Sequence, residues 1–190
     1  MHRIAVFASG KGTNFEAIAA ACSDGTLDAQ VALVVCDKPQ AEVVAKAERL
    51  GIACFAFNPK QYASKADYEA QIVELLDRAE VDLVCLAGYM RIVGETLLSA
   101  YGGRIINIHP SLLPAFAGAR AVEQAIEYGV KVFGITIHWV DQTLDGGRII
   151  AQRAFEYEGS DAEEVHRIGQ QIEHKLYVET IKKILKKILK

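Results

Sequence analysis

The sequence lacks an excess of positive charge and a membrane-length apolar run. Its 190 residues carry 21 Lys and Arg against 24 Asp and Glu, a formal net charge of −3, so the basic surface of a nucleic-acid binder is not expected. No stretch approaches the ~20 consecutive apolar residues that span a bilayer. Apolar residues make up 51% of the chain, which excludes a disordered protein. These features predict a soluble, cytoplasmic chain with one domain over residues 1–190, binding neither nucleic acid nor membranes.

The cysteines are few and widely spaced, with no C-x-x-C pair and no matching histidine cluster. This spacing is not that of a metal site or a redox motif, so no metal is expected. Each cysteine stands among apolar residues, which predicts buried, reduced thiols at all four positions: Cys22, Cys36, Cys54 and Cys85.

Short apolar runs alternate with helical patterns through the first part of the chain. The early runs are apolar on both faces, as strands of a parallel sheet covered by helices must be. The repeated strand–helix units therefore predict a doubly wound, mostly parallel α/β fold of the Rossmann type. The predicted strands are residues 4–8, 31–36, 52–57, 81–87 and 104–107.

Two further strands are predicted near the C-terminus, at residues 131–140 and 148–155. The link between them, residues 141–147, is too short for a crossover helix, so this pair is predicted to be antiparallel. A terminal helix follows. Its last residues, 181–190, combine an apolar stripe with lysines, a pattern that can bind an anionic membrane surface. Because the helical pattern begins well before this segment, we predict instead that Ile184, Leu185 and Ile188 pack on the sheet.

A glycine-containing turn, Ser9-Gly10-Lys11-Gly12-Thr13-Asn14, joins the first predicted strand to the first helix. Its glycines permit a tight backbone, and the N–H groups at a helix start suit an anion. The turn lacks the third glycine of a dinucleotide fingerprint and the Ser or Thr that follows Lys in a Walker A loop. It predicts a phosphate site, and a plain turn capped by Thr13 or Asn14 is the alternative.

A second polar group follows the predicted strand at residues 104–107. Asn107 and His109 are two residues apart, so on a strand they share a face, and Pro110 keeps His109 extended. Ligands bind at this carboxyl end of strands in open α/β sheets. A carboxylate from Asp145 near His109 would favour the protonated imidazole. A hairpin turn is nevertheless the stronger interpretation of the Asp-Gly-Gly segment from the sequence alone.

Four segments in this order resemble the phosphoribosylglycinamide formyltransferases, the folate-dependent enzymes of purine synthesis. They are residues 8–14, 86–92, 107–114 and 134–147, and the similarity runs from Arg3 to about Tyr177. The Asn-x-His-Pro-Ser-Leu-Leu-Pro block is specific to formyl-folate transferases. The resemblance implies transfer of the formyl group of 10-formyltetrahydrofolate to the primary amine of glycinamide ribonucleotide, with no metal.

The resemblance also implies a role for individual residues. Asn107 and protonated His109 would donate hydrogen bonds to the oxyanion of a tetrahedral intermediate, and Asp145 would hold His109 charged. Asn107 would also contact the folate. His138 is assigned from its neighbours and not from the resemblance: it lies in Ile135-Thr136-Ile137-His138-Trp139, and it either supports this group from the same pocket, as we predict, or merely sits beside Trp139. The remaining assignments are Gly12, Thr13 and Asn14 for the substrate phosphate, Glu173 for the ribose, Lys65 for the glutamate tail of folate, and Met90, Arg91, Ile92 and Val93 for the pterin.

Other functions stay open at this point. The chain could be another formyl-folate-dependent transferase or hydrolase, or a folate- or nucleotide-binding module without activity. The presence of Asn107, His109 and Asp145 together favours an enzyme acting on small molecules, as a monomer or a homodimer. The residues that depart from the common family pattern affect loop shape more than these three positions: Ala117, Ala119, Arg120, Arg148 and Val178.

Overall fold

The structure, a computed structural model, describes residues 1–188. The strands are β1 (His2–Ala8), β2 (Ala29–Cys36), β3 (Cys54–Ala56), β4 (Leu83–Leu86), β5 (Ile105–His109), β6 (Val132–Trp139) and β7 (Ile149–Glu156). The helices are α1 (Thr13–Ser23), α2 (Glu42–Arg49), α3 (Lys65–Arg78), α4 (Glu95–Tyr101), α5 (Ala121–Tyr128) and α6 (Ala162–Ile188).

The seven strands form one sheet in the order β3-β2-β1-β4-β5-β6-β7. Strands β3, β2, β1, β4 and β5 pair in parallel, whereas β6 is antiparallel to both β5 and β7. The predicted doubly wound fold and the antiparallel β6–β7 pair are therefore confirmed. The antiparallel β5–β6 pairing was not predicted, and it brings residues of these two strands directly opposite one another.

Some predicted boundaries were wrong. The strand expected at residues 52–57 is the short β3 at the sheet edge, and β5 continues through His109 because it pairs with β6 up to Thr136. Helix α5 was not predicted at all. Its N-cap residue is Arg120 in a left-handed conformation, without a capping side chain, so the Ser, Thr, Asp or Asn that signals a helix start is absent.

Side chains of each central strand alternate between two apolar cores. In β1, Ile4 and Val6 face the core formed with α1, α2 and α6, whereas Ala5 and Phe7 face the core formed with α3 and α4. This follows from the period of two along a strand, and it explains why the strands are apolar on both faces. Helices on both sides therefore leave the carboxyl ends of the strands as the open edge.

Helix α6 is attached to the middle of the sheet. The buried Tyr177 hydroxyl lies 2.9 Å from the Leu86 carbonyl oxygen and 3.3 Å from that of Ile106. Ile184 and Leu185 are buried in the same core, which confirms the packing predicted for them; the side chain of Ile188 and residues 189–190 lie outside the described part of the structure. Over residues 1–188, none of the helices is long and apolar enough to cross a membrane.

The cysteines are free thiols. Cys36 and Cys85 are buried as predicted, but Cys22 and Cys54 are only partly buried, because the first lies near the end of α1 and the second on the edge strand β3. Burial raises the pKa of Cys22 and of Cys54 to about 11 each, so these thiols are poor nucleophiles at neutral pH.

Candidate active site

The predicted site residues lie at the carboxyl edge of the parallel strands. The turn after β1, the loop after β4 and the end of β5 come from neighbouring strands. The chain order reverses between β1 and β4, and such a switch point forms a crevice where open α/β sheets bind ligands. The fold therefore brings the turn at residues 9–14 next to segments that begin more than 70 residues later in the sequence.

Strands β5 and β6 place an amide and two imidazoles next to each other. Asn107 and His138 are direct cross-strand partners, and Asn107 Nδ2 lies 3.2 Å from His138 Nε2. The His138 Nδ1 atom lies 2.9 Å from the Trp139 carbonyl oxygen, which can only accept a hydrogen bond. The Trp139 carbonyl thus holds the His138 ring in place through Nδ1, and the Nε2 atom of the ring faces the site.

Asp145 completes this group. Its Oδ2 atom lies 3.3 Å from His109 Nδ1 and its Oδ1 atom 3.6 Å from His138 Nε2. The Gly118 N–H also donates to Oδ2, at 2.8 Å. The carboxylate therefore does more than close a hairpin turn, which was the stronger interpretation from the sequence alone. The contact with His138, followed by those with Gly118 and His109, holds the pKa of Asp145 below its ordinary value.

The loop between β6 and β7 directs Asp145 inward through an unusual backbone. Asp145 has a φ of +50°, a left-handed conformation that costs free energy in a residue other than glycine. Two residues later, a Cβ atom on Gly147 would lie 1.8 Å from the Trp139 carbonyl oxygen. Only glycine allows this close approach, so Gly147 fixes the loop against β6.

The donors of His109 and Asn107 already have partners inside the protein. His109 Nε2 lies 2.9 Å from the Phe116 carbonyl oxygen, and its Nδ1 faces Asp145. Asn107 Nδ2 lies 3.4 Å from Asp145 Oδ1 in addition to its contact with His138. A ligand oxygen can therefore receive a hydrogen bond from either group only by displacing one of these contacts. The contact of His109 with the Phe116 carbonyl was not predicted, because every residue has a backbone carbonyl and the sequence does not show which one will accept a hydrogen bond.

The turn after β1 has free N–H groups at the start of α1. Gly12 is the N-cap in a left-handed conformation, with a φ of +72°, and within residues 1–188 no side chain caps the helix. The predicted alternative, capping by Thr13 or Asn14, is therefore not observed. Asn14 Nδ2 instead donates to Glu173 on α6 at 2.8 Å, which places a predicted phosphate-site residue beside the predicted ribose-binding residue.

The loop after β4, residues 87–94, carries the predicted pterin-binding residues. Met90 and Ile92 are 72% and 65% exposed, while Val93 is buried. Lys65, at the start of α3, is near the end of this loop, because a Cβ atom on Gly94 would lie 2.8 Å from the Lys65 side chain. The loop therefore presents exposed apolar side chains, and Lys65 lies near its end at Gly94.

A cleft of about 420 Å³ lies between the end of α4 and the residues that precede Asp145. Leu98, Val140 and Thr143 are among the residues that line it. This volume lies within the range of small-molecule sites.

Over residues 1–188, no group of three or more His, Cys, Asp or Glu side chains is arranged to hold a metal ion.

Sequence reasoning missed Asp37, which directly follows β2 at the same sheet edge. It contacts Ser9 after β1 and Arg91 in the loop after β4. The available signal was its position: a polar residue immediately after a buried parallel strand lies at the ligand-binding edge.

Comparison with known proteins shows similarity along almost the whole chain. The family described as formyl transferase matches residues 2–181. The chain is 54% identical over 186 residues to the phosphoribosylglycinamide formyltransferase of Bacillus subtilis strain 168, which covers 97% of this chain and 95% of that protein. The matched region contains every residue of the site described above.

Solved structures of similar proteins have the same fold. The crystal structure of phosphoribosylglycinamide formyltransferase from Bacillus halodurans is 52% identical, with a TM-score of 0.93 over 96% of this chain and 95% of that one. That of glycinamide ribonucleotide transformylase 1 from Geobacillus kaustophilus is 49% identical, with a TM-score of 0.94 over 97% and 99% of the two chains.

Proposed function

The chain belongs to the formyl transferase family, and on that premise we propose that it transfers the formyl group of 10-formyltetrahydrofolate to the primary amine of glycinamide ribonucleotide, a step of purine synthesis. The similarity to proteins that carry this name over nearly their full length supports the proposal. The observation that carries it is the meeting of Asn107, His109 and Asp145 at the carboxyl end of β5, one strand away from the switch point of the sheet. One formyltransferase domain over residues 1–190, small-molecule substrates and a cytoplasmic location belong to the same proposal.

The reaction needs a stabilised oxyanion and two proton movements. The amine nitrogen of the acceptor attacks the formyl carbon, so that a C–N bond forms and the carbonyl oxygen becomes negative. The bond between that carbon and N10 of the folate then breaks, N10 gains a proton and the attacking amine loses one. Hydrogen-bond donors aimed at the negative oxygen lower the barrier to this sequence.

Asn107 and His109 supply these donors in the proposed reaction. The substrate oxygen takes the place of the Phe116 carbonyl at His109 Nε2, and of Asp145 Oδ1 at Asn107 Nδ2. Asp145 keeps its contact with His109 Nδ1, at 3.3 Å, and in this way orients the ring and stabilises its charged form. Moving protons between the amine and N10 requires a group that can both donate and accept, and His109 with Asp145 forms such a pair.

Each substrate has its own part of the crevice in this proposal. The N–H groups at the start of α1 hold the phosphate of the ribonucleotide, as helix N-termini do for anions, and Glu173 on α6 accepts hydrogen bonds from the ribose hydroxyls. The backbone of Met90, Arg91, Ile92 and Val93 binds the pterin, and Lys65 binds the glutamate tail. The two substrates therefore approach Asn107 and His109 from different strands.

The test is an initial-rate assay of the purified protein with 10-formyltetrahydrofolate, with and without glycinamide ribonucleotide. We expect tetrahydrofolate to form at a measurable rate only when glycinamide ribonucleotide is present. The matched control is His2→Asn, because His2 lies at the opposite edge of the sheet, beside Asp82, and its substitution should leave the rate unchanged. Formate release without the ribonucleotide would show a hydrolase, and folate binding without turnover a binding module; either result would refute the proposal.

A further inference from the structure

The loop after β4 has an irregular backbone, so its shape depends on contacts with other segments. At its start, the Ser9 N–H donates to the Gly88 carbonyl at 3.0 Å. The Met90 N–H donates to the Ser9 hydroxyl at 2.8 Å, and the Tyr89 ring packs edge-on against Phe7, with 5.3 Å between ring centroids. The first residues of this loop are therefore attached to the end of β1.

Asp37 links Ser9 to a charged side chain of the same loop, that of Arg91. The Ser9 hydroxyl donates to Asp37 Oδ1 at 2.5 Å, and Arg91 Nε donates to Asp37 Oδ2 at 2.9 Å. The Asp37 side chain is only 1% exposed, whereas that of Arg91 is 42% exposed. A buried carboxylate is costly unless it is paired and hydrogen-bonded, and Asp37 is both.

The carboxylate also sets the direction of the hydrogen bonds. An ionised carboxylate can only accept, so the single hydroxyl hydrogen of Ser9 points to Asp37. The Ser9 oxygen is then left to accept from the Met90 N–H. Asp37 thus holds the loop at two neighbouring positions, the backbone of Met90 through Ser9 and the side chain of Arg91 directly.

We infer that Asp37 is a positioning residue of the folate site: through Ser9 and Arg91 it fixes the backbone of residues 90–93 that reads the pterin. This inference depends on the proposed function, because it assumes that this loop binds folate. Asp37 itself touches no substrate in this account. Its effect should appear in folate affinity and not in ribonucleotide affinity, since Asp37 contacts Ser9 and Arg91, whereas the residues assigned to the phosphate are Gly12, Thr13 and Asn14.

The experiment measures the Kd of tetrahydrofolate and of glycinamide ribonucleotide by calorimetry for wild type, Asp37→Asn, Arg91→Gln and the double variant. Asparagine at position 37 has one acceptor oxygen for two donors, so we expect tetrahydrofolate binding to weaken about tenfold, with ribonucleotide binding within about twofold of wild type. Arg91→Gln should have a similar effect. The double variant should be no weaker than the weaker single variant, because both changes break one connection.

Two further variants keep the result interpretable. Ser9→Ala removes the hydroxyl that links Asp37 to Met90, while Asp37 stays paired with Arg91. It should also weaken tetrahydrofolate binding, and it provides the test if Asp37→Asn does not fold. Glu164→Gln, which breaks the exposed ion pair with Arg167 on α6, is the control and should change neither Kd.

Four outcomes would overturn the inference. These are tetrahydrofolate binding within about twofold of wild type in Asp37→Asn or Ser9→Ala, multiplying effects in the double variant, and an equal loss of affinity for both substrates, which would show a merely structural role. The fourth is a wild type that does not bind tetrahydrofolate, which would refute the proposed function as well. Normal wild-type binding with an unchanged Asp37→Asn would refute this inference alone.

Discussion

Asp145 Oδ2 lies 3.3 Å from His109 Nδ1, although 36 positions separate the two residues in the chain. The contact forms because β5 ends at His109 and pairs with β6, after which the loop to β7 returns Asp145 to the same point. The same carboxylate also faces His138 and the Gly118 N–H. An imidazole whose partner is a largely buried carboxylate is suited to donate a hydrogen bond to a developing negative charge.

The first prediction concerns the oxyanion donors. His109→Ala and Asn107→Ala should each lower kcat by about 10²–10³, the usual loss on removing one preorganised donor. Steady-state kinetics with both substrates checks this, and thermal unfolding confirms that each variant is folded. A folded His109→Ala variant within about threefold of the wild-type kcat would refute the assignment.

The second prediction concerns the contribution of Asp145 to stability and its loss at acidic pH. Its pKa is lowered in the folded protein, chiefly by His138, so it contributes stability at pH values above its unfolded pKa of about 4. This contribution is lost as the pH falls through the lower, folded pKa. Asp145→Asn should therefore lower the free energy of unfolding at pH 7 by about 1–3 kcal/mol, and the difference from wild type should shrink in strong acid.

Urea unfolding of wild type and Asp145→Asn at a series of pH values from neutral to strongly acidic measures this difference. Asp141→Asn is the comparison on the same loop: the pKa of Asp141 is also lowered, chiefly by Thr143, but its exposed side chain should give a smaller pH-dependent difference. A constant difference between wild type and Asp145→Asn at all pH values would show that the charge of Asp145 does not stabilise the fold.

The third prediction concerns the phosphate turn. Gly12→Ala would place a Cβ atom 2.5 Å from the Val43 side chain, at a φ of +72°. The strain should cost about 1–3 kcal/mol of stability, and movement of the turn should raise KM for glycinamide ribonucleotide. Gly25→Ala is a matched control, because it has a φ of +78° with open space around it. It should lose stability and keep the same KM; equal KM values for the two variants would contradict a phosphate site here.

The fourth prediction concerns the end of α6. Leu185→Ala should lower the free energy of unfolding by about 2–5 kcal/mol, because it removes buried methyl groups from the core. Lys186→Ala changes an exposed neighbour and should have almost no effect. Wild type should not sediment with anionic liposomes at physiological salt. Salt-sensitive sedimentation together with an unchanged melting temperature of Leu185→Ala would favour membrane binding instead.

The sequence was informative where local pattern and position decide the structure. The apolar runs of β1, β2 and β4 predicted the parallel sheet, and the pair Asn107 and His109 was placed on one strand face by its spacing. Asp145 could not be placed in this way, because its contact depends on β5 pairing with β6 and on the left-handed loop. The Ser9–Asp37–Arg91 connection was also hidden, since it joins three strand ends whose order in the sheet was unknown.

The most direct measurement follows the formyl carbon itself. Donor labelled with ¹³C in the formyl group is mixed with excess wild-type protein and glycinamide ribonucleotide, and the products are identified by NMR. The account predicts that the label appears in the formamide of the ribonucleotide, at a rate that falls by about 10² or more in His109→Ala. Label found only in formate or remaining in the donor, or equal rates for the two proteins, would contradict it.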